Sequence, residues 1–323
     1  MPGSRPLLTR RVRKHLIALG RQSGETASMP ENASREASTT AVLVAAVRAS
    51  HLRWVPDPIF SDEYASAMVT PFWRLVANNR LLNRLVVDVV LRTLKPAHTV
   101  IIVRIRYAED RLWEAISAGV QQYVILGAGL DTFALRSRGR ADRLSIYEVD
   151  HPASQEMKRK GLERVAGGVP SNLNLVPVDF ETDRLDDALN AAGFDPGAPA
   201  FFSWLGVTCY LTGKAVGATL DQIASVSAPG SSLVVDYRYP QRLVPAAGQA
   251  LVEQLERFVE RRGEPMRSAF SPEEFAVRME QIGFVETDHV SPEEQVRRYL
   301  QGRHDIPAPP PNFAFALFRK KER

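Results

Sequence analysis

Residues 124–132, Val-Ile-Leu-Gly-Ala-Gly-Leu-Asp-Thr, read as a buried strand, a tight turn and a helix start. Glycine tolerates positive φ and lets a ligand approach the backbone closely. Open α/β sheets bind their ligands beyond the carboxyl ends of the strands. Gly127, Ala128 and Gly129 are therefore candidate ligand contacts. A dinucleotide fingerprint wants a third glycine where Thr132 stands. Asp131 adds a carboxylate inside the turn, which repels a pyrophosphate and suits a cationic or zwitterionic ligand. A nicotinamide oxidoreductase is disfavoured on both counts. Asp150 closes the next strand, 21 residues after Gly129, where an acid accepts hydrogen bonds from ribose hydroxyls. Asp179 and Phe180 follow the third strand, placed to bond an adenine amino group and pack on its ring. Taken singly, Asp150 could instead cap the following helix, worth about 1 kcal/mol. Three such markers in order on successive strands outline adenosine without a phosphate site, which fits S-adenosylmethionine as cofactor.

These residues need a parallel sheet beneath them. Strand patterns at 121–129, 144–150, 173–180, 200–206 and 231–237 alternate with helical patterns at 132–140, 152–166, 183–192 and 212–227. That rhythm predicts an α/β fold with helices on both sheet faces. A long amphipathic insertion follows at 240–262, with Leu251, Leu255, Phe258 and Val259 on one face. Ser271-Pro272-Glu273-Glu274 opens another helix, closed at Gly283. Two closing strands, 284–290 and 312–318, break the rhythm. A return without a full crossover helix makes the last strand antiparallel. Ahead of the sheet, a helix starts at Thr39, 59–95 is helical with a break at Pro71, and 103–118 forms a further helix. Residues 22–38 read as a polar connection.

The 323 residues carry 41 Lys and Arg against 37 Asp and Glu. Residues 1–36 hold seven of the bases and three of the acids, which leaves 34 of each for the remainder. The whole excess thus sits in a basic N-terminal tail. A balanced body argues against nucleic-acid binding, which usually needs a maintained basic face. The single cysteine, Cys209, excludes an intramolecular disulfide and a cysteine-rich metal site and fits a reducing, cytoplasmic setting. No apolar run is long enough for a membrane span, and no metal site is expected.

Further motifs carry a family resemblance. They are T-T-A-x-x-V-A-A-x-R-A (39–49), P-I-F-S-D-E-Y-A (58–65), R-I-R-Y-A-E-D (104–110), G-V-Q-Q-Y-V-I-L-G-A-G-L-D-T (119–132), Y-E-V-D-H-P (147–152), V-P-V-D-F (176–180), G-V-T-x-Y-L-T (206–212), P-G-S-x-L-V-V-D-Y (229–237) and G-E-P (263–265). Together they resemble the leucine carboxyl methyltransferase family, in particular its bacterial branch of S-adenosylmethionine-dependent O-methyltransferases. The resemblance implies a class I methyltransferase, with a Rossmann-like, mostly parallel seven-stranded sheet whose last strand is antiparallel. It also implies an N-terminal helical extension and a helical insertion after strand five. Residues 37–100 would be that helical cap. Residues 101–323 would be the methyltransferase domain, with the insertion at about 238–270.

By the same resemblance Arg104 meets the cofactor's carboxylate, Gly127 belongs to the cofactor loop, Asp150 binds ribose, and Asp179 with Phe180 lies beside adenine. One departure stands out. The family's W-E-G-V-T reads Trp204-Leu205-Gly206-Val207-Thr208 here, so Leu205 replaces a glutamate near the methionine end. This keeps open a catalytically weak or inactive cofactor-binding homologue. The main reading is methylation of a carboxylate or acidic phenol on a small molecule. An ionised acceptor needs no general base, and the base candidates are few: Tyr210, His51 and, within its own Asp-His-Pro turn, His151. Tyr237 and Arg238, after strand five, are expected on the substrate side.

Overall fold

A computed structural model describes residues 39–261 and 263–322; the basic tail and the polar connection lie outside the described residues. The N-terminal part holds α1 (Thr39–Trp54), α2 (Ala65–Met68), α3 (Pro71–Asn78) and α4 (Arg80–Asn83). A π-helical stretch (Arg84–Val90) and a 3-10 turn (Arg92–Leu94) lead into α5 (Lys95–Ser117). Strand and helix then alternate through β1 (Gln122–Leu126), α6 (Phe133–Arg136), β2 (Ser145–Asp150), α7 (Pro152–Ala166), β3 (Leu173–Pro177), α8 (Leu185–Ala191), β4 (Ala200–Trp204), α9 (Gly213–Val226) and β5 (Ser232–Arg238). The chain closes with α10 (Ala246–Glu260), α11 (Pro272–Gln281), β6 (Phe284–Val290), α12 (Pro292–Tyr299) and β7 (Phe313–Lys320).

The seven strands lie in the order β3-β2-β1-β4-β5-β7-β6. Strands β1 to β5 pair in parallel, and β7 runs antiparallel to both β5 and β6. This is the α/β class I methyltransferase sheet expected from the sequence. Alternate residues face opposite sides of each strand. Tyr123 and Ile125 face one core, beneath α1, α5, α6 and α7; Val124 and Leu126 face the other, beneath α8, α9 and α11. Strand order reverses between β1 and β4, where Leu126 pairs with both Val149 and Trp204. The loops after these strands therefore open apart at one edge, which creates the cleft.

Helix starts follow local chemistry. The His151 side chain accepts from the Ala153 N–H ahead of Pro152. Ser271 and Glu274 form a reciprocal capping box around Pro272, satisfying two donors that the first turn leaves open.

Several boundaries differ from the sequence reading. The helix expected over 103–118 begins at Lys95, with Pro96 in its first turn, so the division at 100/101 falls inside α5. The 59–95 stretch is a series of short turns rather than long helices, although Pro71 does begin one of them. The helix after the glycine turn is a single turn, not 132–140. An eight-residue helix does occupy the return to β7. It stays at the sheet end, with Gln295 donating to the Phe313 carbonyl, and the strand is antiparallel regardless.

A buried ion pair, Lys158 on α7 with Glu148 on β2, lies under the glycine turn, and Lys158 also donates to the Asp131 carbonyl. Burial pushes the Glu148 carboxyl from 4.5 up to about 7, against the pull of Lys158. The unfolded chain releases this proton first, so stability falls as pH rises from about 4.5 to about 7. Glu148→Gln should flatten that part of the melting-temperature profile. A profile with the parent's slope would place the titration elsewhere.

Candidate active site

A cleft of about 400 Å³ lies over the carboxyl ends of β1 to β4 and beneath α1 and α5. Gly127 (φ 70°) and Gly129 (φ 52°) both need the left-handed region. A Cβ on Gly127 would drive into the Val207 side chain, and one on Gly129 would lie 3.2 Å from Ala41 Cβ. Gly127 and Ala128 also donate to the Val149 carbonyl, which pins the turn to β2.

Asp150 accepts from the backbone N–H groups of Gly129 and, at 2.7 Å, of His151. Burial raises its carboxyl above the ordinary range, and those hydrogen bonds work against the rise. Asp179 accepts from the Glu181 N–H at 3.0 Å and stands half-buried on the cleft wall. The Phe180 ring lies 6.2 Å from that of Trp204, tilted by 40°, at the same wall. Asp131 caps the short α6 turn by accepting from the Phe133 N–H at 2.6 Å. Burial pushes its carboxyl up, but Arg48, Arg136 and Lys158 together hold it below the ordinary range. Its negative charge is thus balanced within the protein.

Arg104 enters the opposite side from α5. Its Nη1 donates to Asp236 Oδ2 at 2.7 Å, while Asp236 Oδ1 accepts from the Gly206 N–H at 2.7 Å. Gly206 (φ 73°) has no room for a Cβ, which would meet the guanidinium. Arg104 Nε is buried without a hydrogen-bond partner among the described residues. Leu205 and the half-buried Tyr210 line the same side, and burial pushes the Tyr210 hydroxyl well above its ordinary range.

Three expected site residues lie elsewhere. His51 lines a separate cavity, and its Nε2 accepts from the Ile59 N–H at 2.9 Å. Burial, with Arg303 nearby, lowers its pKa to about 4. Tyr237 is fully buried and stacks on Phe275 at 4.4 Å in the opposite core. Strand alternation explains this: in β5 it is Asp236, its neighbour, that turns toward the cleft. Arg238 pairs with Glu256 of α10 and donates to the Ser268 carbonyl, so it ties the insertion down.

The sequence reading also passed over residues that matter. Asp236 stands inside the quoted V-V-D-Y motif. Arg48, also inside a quoted motif, is 2% exposed and pairs with Asp62 and Asp131. Arg136 bridges Glu109 and approaches Asp62, which completes a buried network under the turn. Glu264, in Gly-Glu-Pro, lines the cleft and accepts from the Thr40 hydroxyl. Charged residues inside a helical motif were the available signal for Arg48.

Residues 41–224 match the leucine carboxyl methyltransferase family. A Bacillus subtilis protein named "Putative S-adenosyl-L-methionine-dependent methyltransferase YktD" is 32% identical over 289 residues, 84% of this chain and 93% of the relative. The chain belongs to the leucine carboxyl methyltransferase family. It is an S-adenosylmethionine-dependent methyltransferase. Another relative, a Mycolicibacterium smegmatis protein with a similar name, is 32% identical over 67% of this chain and 72% of its own. Among solved structures, a Thermobifida fusca methyltransferase-like protein aligns at TM-score 0.56, with 18% identity, over 90% of this chain and 97% of its own. A DUF574 family protein from Streptomyces avermitilis aligns at TM-score 0.57 with 15% identity, over 89% and 98%. Both share the fold.

The methyltransferase cleft fits its cofactor. The glycine turn leaves a cradle that a Cβ would disturb, acids end β2 and follow β3, and the unpaired Arg104 Nε stands on the far wall. Asp150→Ala in this methyltransferase removes the acceptor of two backbone donors at the cleft wall. Calorimetry should show S-adenosylmethionine binding weakened by roughly 10- to 150-fold, the equivalent of losing about 1.5–3 kcal/mol in charged hydrogen bonds. Unchanged affinity would remove Asp150 from the cofactor site.

Proposed function

We propose that this methyltransferase transfers the methyl group to an already ionised oxygen, a carboxylate or an acidic phenol, of a small molecule. The adenosine end of the cofactor lies along Asp150, Asp179 and Phe180, and its carboxylate meets Arg104. Bound S-adenosylmethionine supplies an electrophilic methyl carbon on a sulfonium, open to in-line displacement by an acceptor lone pair. The protein aligns the partners and keeps water out.

One observation carries the reading. The side chains facing both the cleft and the apolar cavity beside it include Thr40, Arg104 and Tyr210. None of these is a base near neutral pH: Arg104 is a cation, and burial suppresses ionisation of Tyr210. His51 and the helix-capping His151 are committed to backbone N–H groups. An acceptor that arrives ionised requires no proton removal.

Leu205 cannot accept a hydrogen bond from the cofactor's ammonium. Glu264 supplies a carboxylate on the same cleft, close enough to Tyr210 for its charge to raise that hydroxyl. We assign the ammonium to Glu264, which favours an active enzyme over an inactive homologue.

Incubation with labelled methyl donor and a metabolite extract should place the label on a carboxyl or phenolic oxygen. Label on nitrogen, carbon or an unactivated alcohol would overturn the reading. Glu264→Gln should weaken cofactor binding by roughly 10- to 150-fold, and adding Leu205→Glu should restore part of the loss. Equal affinity in Glu264→Gln and the parent would return the ammonium to other acceptors.

A further inference from the structure

Beside the cleft lies a second cavity, of about 130 Å³, between α1, α5 and the insertion helix α10. The two share Thr40, Val44, Arg104, Gly206 and Tyr210 as wall. This common wall belongs to the side of the cleft where Arg104 and Leu205 stand, away from Asp150 and Asp179. It is therefore the methionine side, where the transferable methyl lies under the reading above.

Polar side chains of this cavity sit only at its ends. Thr40, Arg104 and Tyr210 face the cleft, while Ser50 and His98 face a third cavity of about 440 Å³ that opens beyond them. The middle is apolar all round, with Val44, Val100, Ile101, Leu255, Phe258 and Val259 contributed by α1, α5 and α10. A buried polar or charged group placed there would lose its water without a partner, at a cost of several kcal/mol in the strictest reference state, about 4–8. An apolar protein cavity of about 150 Å³ stays dry and accepts a benzene ring. The size and lining here suit a single ring or a medium acyl chain.

The outer cavity has a basic balance. Arg53, Arg80 and Arg84 line it, while Lys95 is matched by Asp88 at 2.7 Å and Asp305 by Arg303 at 2.8 Å. Burial and Lys95 lower His98 to about 4, so the passage between the cavities is neutral.

We propose that the methyl acceptor is an amphiphilic acid whose compact apolar body, one aromatic ring or a medium acyl chain, lies in this inner cavity with its acidic oxygen at the shared wall beside Tyr210. The proposal rests on the oxygen-methylation reading and narrows it to a substrate class. Ala97 on α5 and Phe258 on α10 set the cavity's dimensions and lie outside the cofactor cleft.

The test is a series of straight-chain acids from butanoate to dodecanoate, with single-ring aryl acids and phenols, assayed for methyl transfer. The expected kcat/KM peaks at medium chains or single rings. Ala97→Phe should lower that peak by about tenfold or more, since one methylene in an apolar pocket is worth roughly 10- to 200-fold, with S-adenosylmethionine affinity unchanged. Phe258→Ala should move the optimum to larger acceptors. A flat length profile, or folded Ala97→Phe with the parent's kcat/KM, overturns the proposal; if Ala97→Phe does not fold, the Phe258→Ala shift decides. Calorimetry of the same acids with S-adenosylhomocysteine present separates the two readings. Binding that responds to the variants without methyl transfer overturns oxygen methylation and keeps the apolar site. Methyl transfer indifferent to both variants does the reverse, and the absence of any binding overturns the apolar site.

Discussion

The Asp236 carboxylate holds the active side of this molecule together. One oxygen takes the Arg104 guanidinium from α5, and the other takes the Gly206 N–H from the loop after β4. A single residue at the end of β5 thereby fixes the N-terminal helices, the loop after β4 and the sheet in one arrangement. The contact is buried, with Asp236 1% and Arg104 8% exposed. Removing one partner of such a pair leaves an uncompensated charge and typically costs about 3–5 kcal/mol. Gly206 belongs to the same constraint, because any side chain there would push the guanidinium away. Arg104 is thus held before any ligand arrives, and the entropy of ordering it is not charged against binding.

A second constraint acts under the glycine turn. Arg48, Asp62, Asp131, Arg136 and Glu109 form a chain of opposite charges that joins α1, the loop before α2, α5 and α6. Burial raises the Glu109 carboxyl, and Arg136 opposes that rise. The turn itself has no large side chains to anchor it. Its position is set instead by the Val149 carbonyl, by the Asp150 carboxylate and by this network below. Both constraints reach into the N-terminal helices, so those helices are part of the site's construction. A division at residue 100 separates what α5 joins.

Legibility in the sequence followed the range of each interaction. The glycine turn, Asp150 and Asp179 were readable because strand ends and turn glycines are local signals at fixed spacing. Arg104 and Leu205 came only with the family resemblance; nothing near them in sequence shows what they face. Tyr237 was assigned to the substrate side from its place after β5, without its strand parity. Period-two alternation turns Tyr237 into the stack with Phe275 and gives the cleft to Asp236. Arg238 was likewise placed on the substrate side, but Glu256, in the insertion, lies 18 residues away and captures it. His51 failed for a similar reason, since its lone pair serves the backbone of Ile59. The ionic network was illegible because its members are distant in sequence and each looks like an ordinary surface charge.

Charge placement links these observations to selectivity. Asp150 and Asp179 stand on one side of the cleft, Glu264 lies by Thr40 and Tyr210 on the other, and Asp131 has its charge balanced internally. Arg104 is the cation at the boundary with the apolar cavity, and its own charge is half committed to Asp236. Under the proposed reading, a sulfonium near Glu264 and an acidic acceptor in the apolar cavity would meet at their shared wall. Electrostatic attraction strengthens as the dielectric falls, so under the proposed reading the apolar walls of α1, α5 and α10 would both select the acceptor's body and deepen its attraction to the methyl donor.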